Sequence, residues 1–137
     1  MIVVVDSNIL FSSLLSANSR LVQTLLDEDC KFIAPNFIFV EIFKYKDKIL
    51  KHSKLSADEL LEVLNKLLSN IQFLPNKFIS PDNLEKAIEL CKDIDLKDCV
   101  FVALTLEMGA VLWTGDKKLK TALEQKGFNQ FFSLKTN

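Results

Sequence analysis

A chain of 137 residues, 49 % apolar and 26 % charged, has the size and composition of a single globular domain spanning 1–137, with a core that needs no disulfide or metal staple. Its formal net charge of −1 excludes a strongly basic nucleic-acid-coating protein but not a nucleic-acid enzyme. No apolar run approaches the ~20 residues of a membrane span, and Asp6 interrupts Met1-Ile2-Val3-Val4-Val5 before it resembles a signal peptide, so a cytoplasmic protein with no membrane contact is expected.

In chain order, the short β-branched run of residues 2–5 reads as a buried strand. Leu21, Val22 and Leu25 suggest a helix around 18–28. Lys31-Phe32-Ile33-Ala34 reads as a second strand closed by Pro35, after which Asn36 is expected to cap a helix carrying Phe37, Val40, Ile42 and Phe43. Ser56-Ala57-Asp58-Glu59 is a capping box. It opens a helix with Leu60, Val63, Leu64, Leu67 and Leu68 at i, i+3, i+4, i+7 and i+8. Ile71-Gln72-Phe73-Leu74 is the third strand, and Ser80-Pro81 starts a helix whose inner face is expected to hold Leu84, Ala87, Ile88 and Cys91. The segment from Asp98 to about Met108 is apolar nearly all round and should be enclosed. Ala110–Trp113 is the fourth strand, 117–126 a helix, and Phe128–Leu134 a final edge strand. Strands alternating with helices predict an α/β fold with a parallel sheet covered on both faces.

Four acidic residues stand out: Asp6, Glu41, Asp98 and Asp116. Each is flanked by apolar runs, where a charge needs a partner, and those runs hold too few Lys or Arg to supply four. In an open parallel sheet, ligands bind beyond the carboxyl ends of the strands, near the switch in strand order. That edge is where these residues would gather. A shared Mg²⁺ or Mn²⁺ would satisfy them, since such ions take oxygen ligands. It would polarise a phosphoryl oxygen and acidify a water, and phosphodiester hydrolysis follows from these parts. Simpler readings stand beside this one: Asp98 favouring a helix N-terminus through its dipole, Asp116 as an N-cap, and Asp6 with Ser7 and Asn8 as a turn. Cys30, Cys91 and Cys99 have no CxxC spacing, and Cys91 and Cys99 read as small core residues. His52, the only histidine, lies in a lysine-rich stretch and is not read as a ligand or base. Lys44, Lys48 and Lys51 share a helix face with Glu41. They could track a nucleic-acid backbone or form a solvated basic face, and Lys117 beside Asp116 admits the same two readings.

Taken together, these residues resemble the PIN domain. The likeness rests on Asp6-Ser7-Asn8-Ile9-Leu10 after a hydrophobic strand, Glu41 in the second helical region, Asp95-Leu96-Lys97-Asp98 before an apolar helix, and Trp113-Thr114-Gly115-Asp116-Lys117. It covers essentially the whole chain, in order. The resemblance implies a three-layer α/β/α sandwich around a mainly parallel sheet of about five strands. It also implies a metal-dependent endoribonuclease, often the toxin of a toxin–antitoxin pair, acting on RNA and commonly homodimeric. Carried over by position, Asp6, Glu41, Asp98 and Asp116 would be the catalytic metal-site residues, with Asp6 and Asp116 direct ligands of Mg²⁺ or Mn²⁺. Asp95 is a second-tier candidate that also suits a helix cap, while Ser7, Asn8 and Thr114 would support the carboxylates.

Other classes fit less well. There is no GxGxxG or P-loop, and Asn8 stands where a haloacid-dehalogenase-like phosphatase needs its second Asp. The lysine context of a phosphoacceptor receiver domain is not evident. The rival of another class is a non-catalytic PIN-fold module that binds RNA or protein.

Overall fold

The computed structural model describes residues 1–15 and 19–133. Four strands, β1 (Ile2–Val5), β2 (Lys31–Pro35), β3 (Ile71–Leu74) and β4 (Val111–Trp113), form one sheet in the order β3-β2-β1-β4. All pairings are parallel. The unbroken apolar run of β1 has a simple cause: the strand is central, with Val4 opposite Ile33 on one side and Leu112 on the other. Val3, Val4 and Val5 are fully buried.

Seven α-helices are described: α1 (Ser7–Leu15), α2 (Ser19–Leu25), α3 (Phe37–His52), α4 (Ala57–Asn70), α5 (Pro81–Cys91), α6 (Cys99–Met108) and α7 (Lys117–Gln125). The chain steps from β1 to β2 to β3 in one direction, so right-handed crossovers put α1 to α4 on one face. Returning past β1 to β4 reverses the direction and puts α5 and α6 on the other. The packing agrees, since α1 contacts α2, α3 and α4, whereas α6 lies on β1, β2 and β4 and is backed by α5. The three-layer α/β/α expectation is borne out, with four strands among the described residues rather than about five.

Sandwiched between sheet and helix, α6 is buried over most of its surface. Cys99, Phe101, Val102, Ala103, Leu104 and Thr105 are all buried, and the Thr105 hydroxyl donates to the Phe101 carbonyl at 2.8 Å. Glu107 of α6 ties down the start of α5 by accepting from the Ser80 N–H at 2.6 Å and the Asn83 amide at 3.1 Å. The Lys126 ammonium closes the other end of α5 on the Leu90 carbonyl at 3.1 Å, the favourable charge for a helix C-terminus. The capping box of α4 is formed as expected, with Ser56 and Glu59 satisfying each other's backbone N–H.

Several expectations need correction. The inner stripe of α5 is Ala87 and Cys91 only, and Leu84 and Ile88 are 41 % and 42 % exposed. Small residues at i and i+4 let α6 approach closely, which leaves the flanking large side chains at the rim. Asn36 precedes α3 with a helical backbone and no side-chain cap; its N–H instead joins the Leu74 carbonyl at 2.9 Å. Ile38 and Ile49 take the inward face of α3, so Val40 and Phe43 point outward at 59 % and 71 % exposure. The helix expected around 18–28 spans Ser19–Leu25, and residue 18 lies outside the described residues. The expected strand over 128–134 is a single bridge between Phe131 and Leu112, and Leu134 lies outside the described residues. Phe128 is turned into the core, and the Phe131 N–H folds back to the Asn129 carbonyl at 3.0 Å, which curls the segment out of a ladder.

Gly109 ends α6 in the left-handed conformation, φ +57°, with open space where a Cβ would be. Gly109→Ala is therefore expected to cost about 1 kcal/mol through backbone strain alone, read as a lower urea midpoint with an unchanged slope.

Candidate active site

The strand order reverses at β1, so the crevice beyond the carboxyl ends of β1 and β4 is where such a sheet binds ligands. Asp6 stands there directly after β1. Its N–H donates to the Trp113 carbonyl at 3.2 Å, which continues the β1–β4 pairing into the crevice. The Asp6 side chain belongs to a residue only 4 % exposed. Its Oδ1 accepts from the Ile9 N–H at 3.0 Å, and the Thr114 hydroxyl donates to the same carboxylate. Thr114 joins two acids, because its Oγ1 also accepts from the Asp116 N–H at 3.1 Å. Asp116 caps α7 with Oδ1 on the Leu119 N–H at 3.1 Å. The N-cap reading of Asp116 is thus realised by one of its two oxygens.

Helix α1 packs on α3 and brings Ser7 to Glu41, whose Oε1 accepts the Ser7 hydroxyl. Glu41 is itself half-exposed beside the outward-facing Val40, so the apolar run around it in the sequence does not enclose its carboxylate. Asp95 caps the 3₁₀ turn Leu96–Asp98 by accepting from the Lys97 N–H at 2.9 Å, as its capping alternative anticipated. Asp98 behaves differently. It immediately precedes α6 yet makes no side-chain cap bond.

The electrostatics connect these positions. Burial pushes the Asp98 carboxyl up to about 6, with Asp95, Asp6, Asp116 and Glu41 adding repulsion in that order. Asp6 is also pushed up to about 6, mainly by burial, with Asp116 reinforcing and the bonds from Thr114 and Ile9 opposing. Every acid singled out in the sequence therefore bears on Asp98. Cys91 is no competitor for this role, since burial pushes its thiol up to about 12 and leaves it inert.

A cleft of about 720 Å³ opens beside the acids between α1 and α3, and Asn8, Glu41, Tyr45, Lys48 and His52 are on its walls. Lys44, Lys48 and Lys51 are all exposed on α3, but only Lys48 of the three reaches the cleft. Lys117 is exposed at the first position of α7. Tyr45 is the wall residue that the sequence reading passes over, although its i+4 spacing from Glu41 was signal enough.

The donor set suits a hard divalent ion: carboxylate oxygens only, with Asp98 uncommitted to its helix. Among the described residues, no three His, Cys, Asp or Glu side chains close into a tight metal-binding group. Asp6, Asp116 and Glu41 each give one oxygen to a local hydrogen bond. Mg²⁺ needs only one or two direct carboxylates and keeps several waters, so an open arrangement of this kind fits it.

Comparison with known proteins supplies the context. A family model described as PIN domain matches residues 4–129. The fold is similar to that in the crystal structure of VapBC2 from Rickettsia felis bound to a DNA fragment from their promoter, with TM-score 0.60 and 19 % identity. That match covers 89 % of this chain and 93 % of the other. No curated protein matches the sequence.

The raised carboxyls make a prediction for the metal-free protein. A carboxyl at about 6 when folded and near 3.8 when unfolded makes the native state bind more protons between those values. Its contribution to stability therefore falls as pH rises through that window. Asp98→Asn, which loses no cap bond, is expected to raise the urea midpoint at pH 7.5, with the gain vanishing by pH 4. Matched urea titrations at the two pH values check this.

Proposed function

The chain belongs to the PIN domain family, and from that premise we propose that it is a metal-dependent endoribonuclease hydrolysing RNA phosphodiester bonds at the β1–β4 crevice. The observation that carries this reading is the Asp98 carboxylate, uncommitted to its helix yet pressed by four other acids. A binding-only module gains nothing from so costly a like-charge cluster.

In this reading Asp6, Glu41, Asp98 and Asp116 would hold Mg²⁺ or Mn²⁺, with Asp95 at the periphery. When bound, the ion supplies positive charge against the phosphoryl oxygens and lowers the pKa of the attacking water. The chain's own residues set the geometry. Thr114 fixes the Asp6 carboxylate from one side and the Asp116 backbone from the other. Ser7 occupies Glu41 Oε1, which leaves Oε2 as the atom that meets the ion, directly or through the water it orients. Asn8 stands exposed on the cleft wall, where its amide can meet the substrate.

The partners follow from the surface. Phe37, Leu84 and Leu96 line one hollow of about 260 Å³. Val40 and Phe43 extend the exposed apolar row along α3, and Ile88 extends it along α5. Apolar surface of this extent supports a protein partner. With the fold's likeness to the VapBC2 structure, it supports a cytoplasmic toxin that acts as a homodimer and is held by a cognate antitoxin. Among the described residues, no helix is long and apolar enough to cross a membrane.

The test is cleavage of an end-labelled structured RNA with Mn²⁺ or Mg²⁺. Cutting is expected to vanish in EDTA and to fall at least about a hundredfold in Asp6→Asn, more than loss of an outer support would cause. Undiminished cutting in both controls would sink the proposal. Ser7→Ala, which releases Glu41 without removing it, is expected to lower kcat about tenfold, measured by single-turnover kinetics.

A further inference from the structure

We propose that the cleft between α1 and α3 is a base-stacking subsite for one unpaired nucleotide beside the scissile phosphate, with Tyr45 and Phe11 as platform and Lys48 as phosphate contact. The proposal rests on the nuclease reading and names a feature of its substrate: the strand is single where it enters the site.

The volume is suitable, since about 720 Å³ lies within the ~300–1,000 Å³ of pockets that enclose small ligands. The inner end is the acidic site itself, because Glu41 belongs to both. From Glu41, the residues Tyr45, Lys48 and His52 follow at i+4, i+7 and i+11 along one face of α3 and line the same wall. At 1.5 Å per residue, Lys48 stands roughly 10 Å along the helix from Glu41. It is beyond the acids yet close enough to hold a neighbouring phosphate. Lys48 is exposed and forms no ion pair among the described residues, so its charge is free for a ligand.

Two aromatic rings, Phe11 and Tyr45, line the cleft wall. The Phe11 and Tyr45 rings meet edge to face, centroids 5.7 Å apart and planes at 76°. Both are only half-buried. A pair serving packing alone would close the space between α1 and α3, whereas these rings line an open cleft. Ile9 and Ile49 add an apolar floor; Lys44, which is not a wall residue, holds its ammonium over the Tyr45 ring 5.3 Å from the centroid, so a base has the remaining ring surface. An apolar, aromatic hollow with Lys48 on its wall matches what a base and its phosphate need. Stacking on such a surface tolerates any base. A duplex cannot use it, because its bases are already stacked on both faces.

The test uses the full chain in EDTA, which separates binding from turnover, and a fluorescein-labelled single-stranded 12-nucleotide RNA read by anisotropy. Tyr45→Leu is expected to weaken binding about tenfold, while Tyr45→Phe, which keeps the ring, binds as wild type. Annealing the RNA to its complement should abolish the difference between wild type and Tyr45→Leu. Lys48→Ala, at an exposed site with no structural partner, should lower the salt dependence of binding by about one counterion. With Mn²⁺ present, Tyr45→Leu should raise KM more than it lowers kcat. Binding by Tyr45→Leu equal to wild type, or an unchanged salt slope in Lys48→Ala, overturns the subsite. The two proposals fail separately. Tyr45-dependent binding without cleavage keeps the subsite and removes the nuclease, and cleavage indifferent to Tyr45 does the reverse.

Discussion

A carboxylate at the end of the central strand, almost shut off from water, is the constraint around which this molecule is organised. Asp6 cannot leave the crevice, because its own N–H continues the β1–β4 ladder onto Trp113. The hydrogen bonds from Thr114 and the Ile9 N–H offset only part of the cost of burying it. Asp116, held next to Thr114, then adds a second negative charge to the same edge. The sheet order makes this juxtaposition unavoidable. Only when β4 returns past β3 and β2 to pair with β1 do residues 6 and 116 become neighbours.

The other acids are delivered by helices whose own stability does not need them there. Helix α6 is anchored by its buried face and by Glu107 on the start of α5, so Asp98 is free to serve the crevice rather than its helix. Glu41 is positioned by Ser7 across the α1–α3 contact. Evenly satisfied acids would have made a quiet surface. Here the fold concentrates repulsion at one point and stabilises itself elsewhere, in the valine-rich central strand and the enclosed α6. Repulsion of that kind, placed at a strand switch, is the feature on which the proposed cation site rests.

Much of this was legible in the sequence, for identifiable reasons. The β-branched run of β1 is unmistakable because a central parallel strand is buried on both faces. The Ser56–Glu59 box and Ser80-Pro81 are local signals that tertiary contacts did not override. Local signals misled where the decision was tertiary. Asn36 has the right residue type for a cap but spends its N–H on β3. Leu84 and Ile88 have helical periodicity, yet the packing partner is narrower than the apolar stripe. Residues after 127 have strand-like composition, but Phe128 serves the core better than the sheet edge. The four acids could be named from position, whereas the bond between Ser7 and Glu41, the absence of a cap at Asp98 and the aromatic wall at Tyr45 depend on how α1 and α3 pack. No spacing rule supplies that angle.

The central claim is that four separated acids form one divalent-ion site. Calorimetric titration of Mn²⁺ into the metal-free protein at pH 7.5, alongside Asp6→Asn, Asp98→Asn and Glu41→Gln, tests it without any substrate. The account predicts saturable binding to the wild type, weakened by each substitution, with proton release that emerges only when the titration is repeated near pH 6, where Asp6 and Asp98 still hold protons. Binding that survives all three substitutions unchanged, or no saturable binding to the wild type at all, would contradict it.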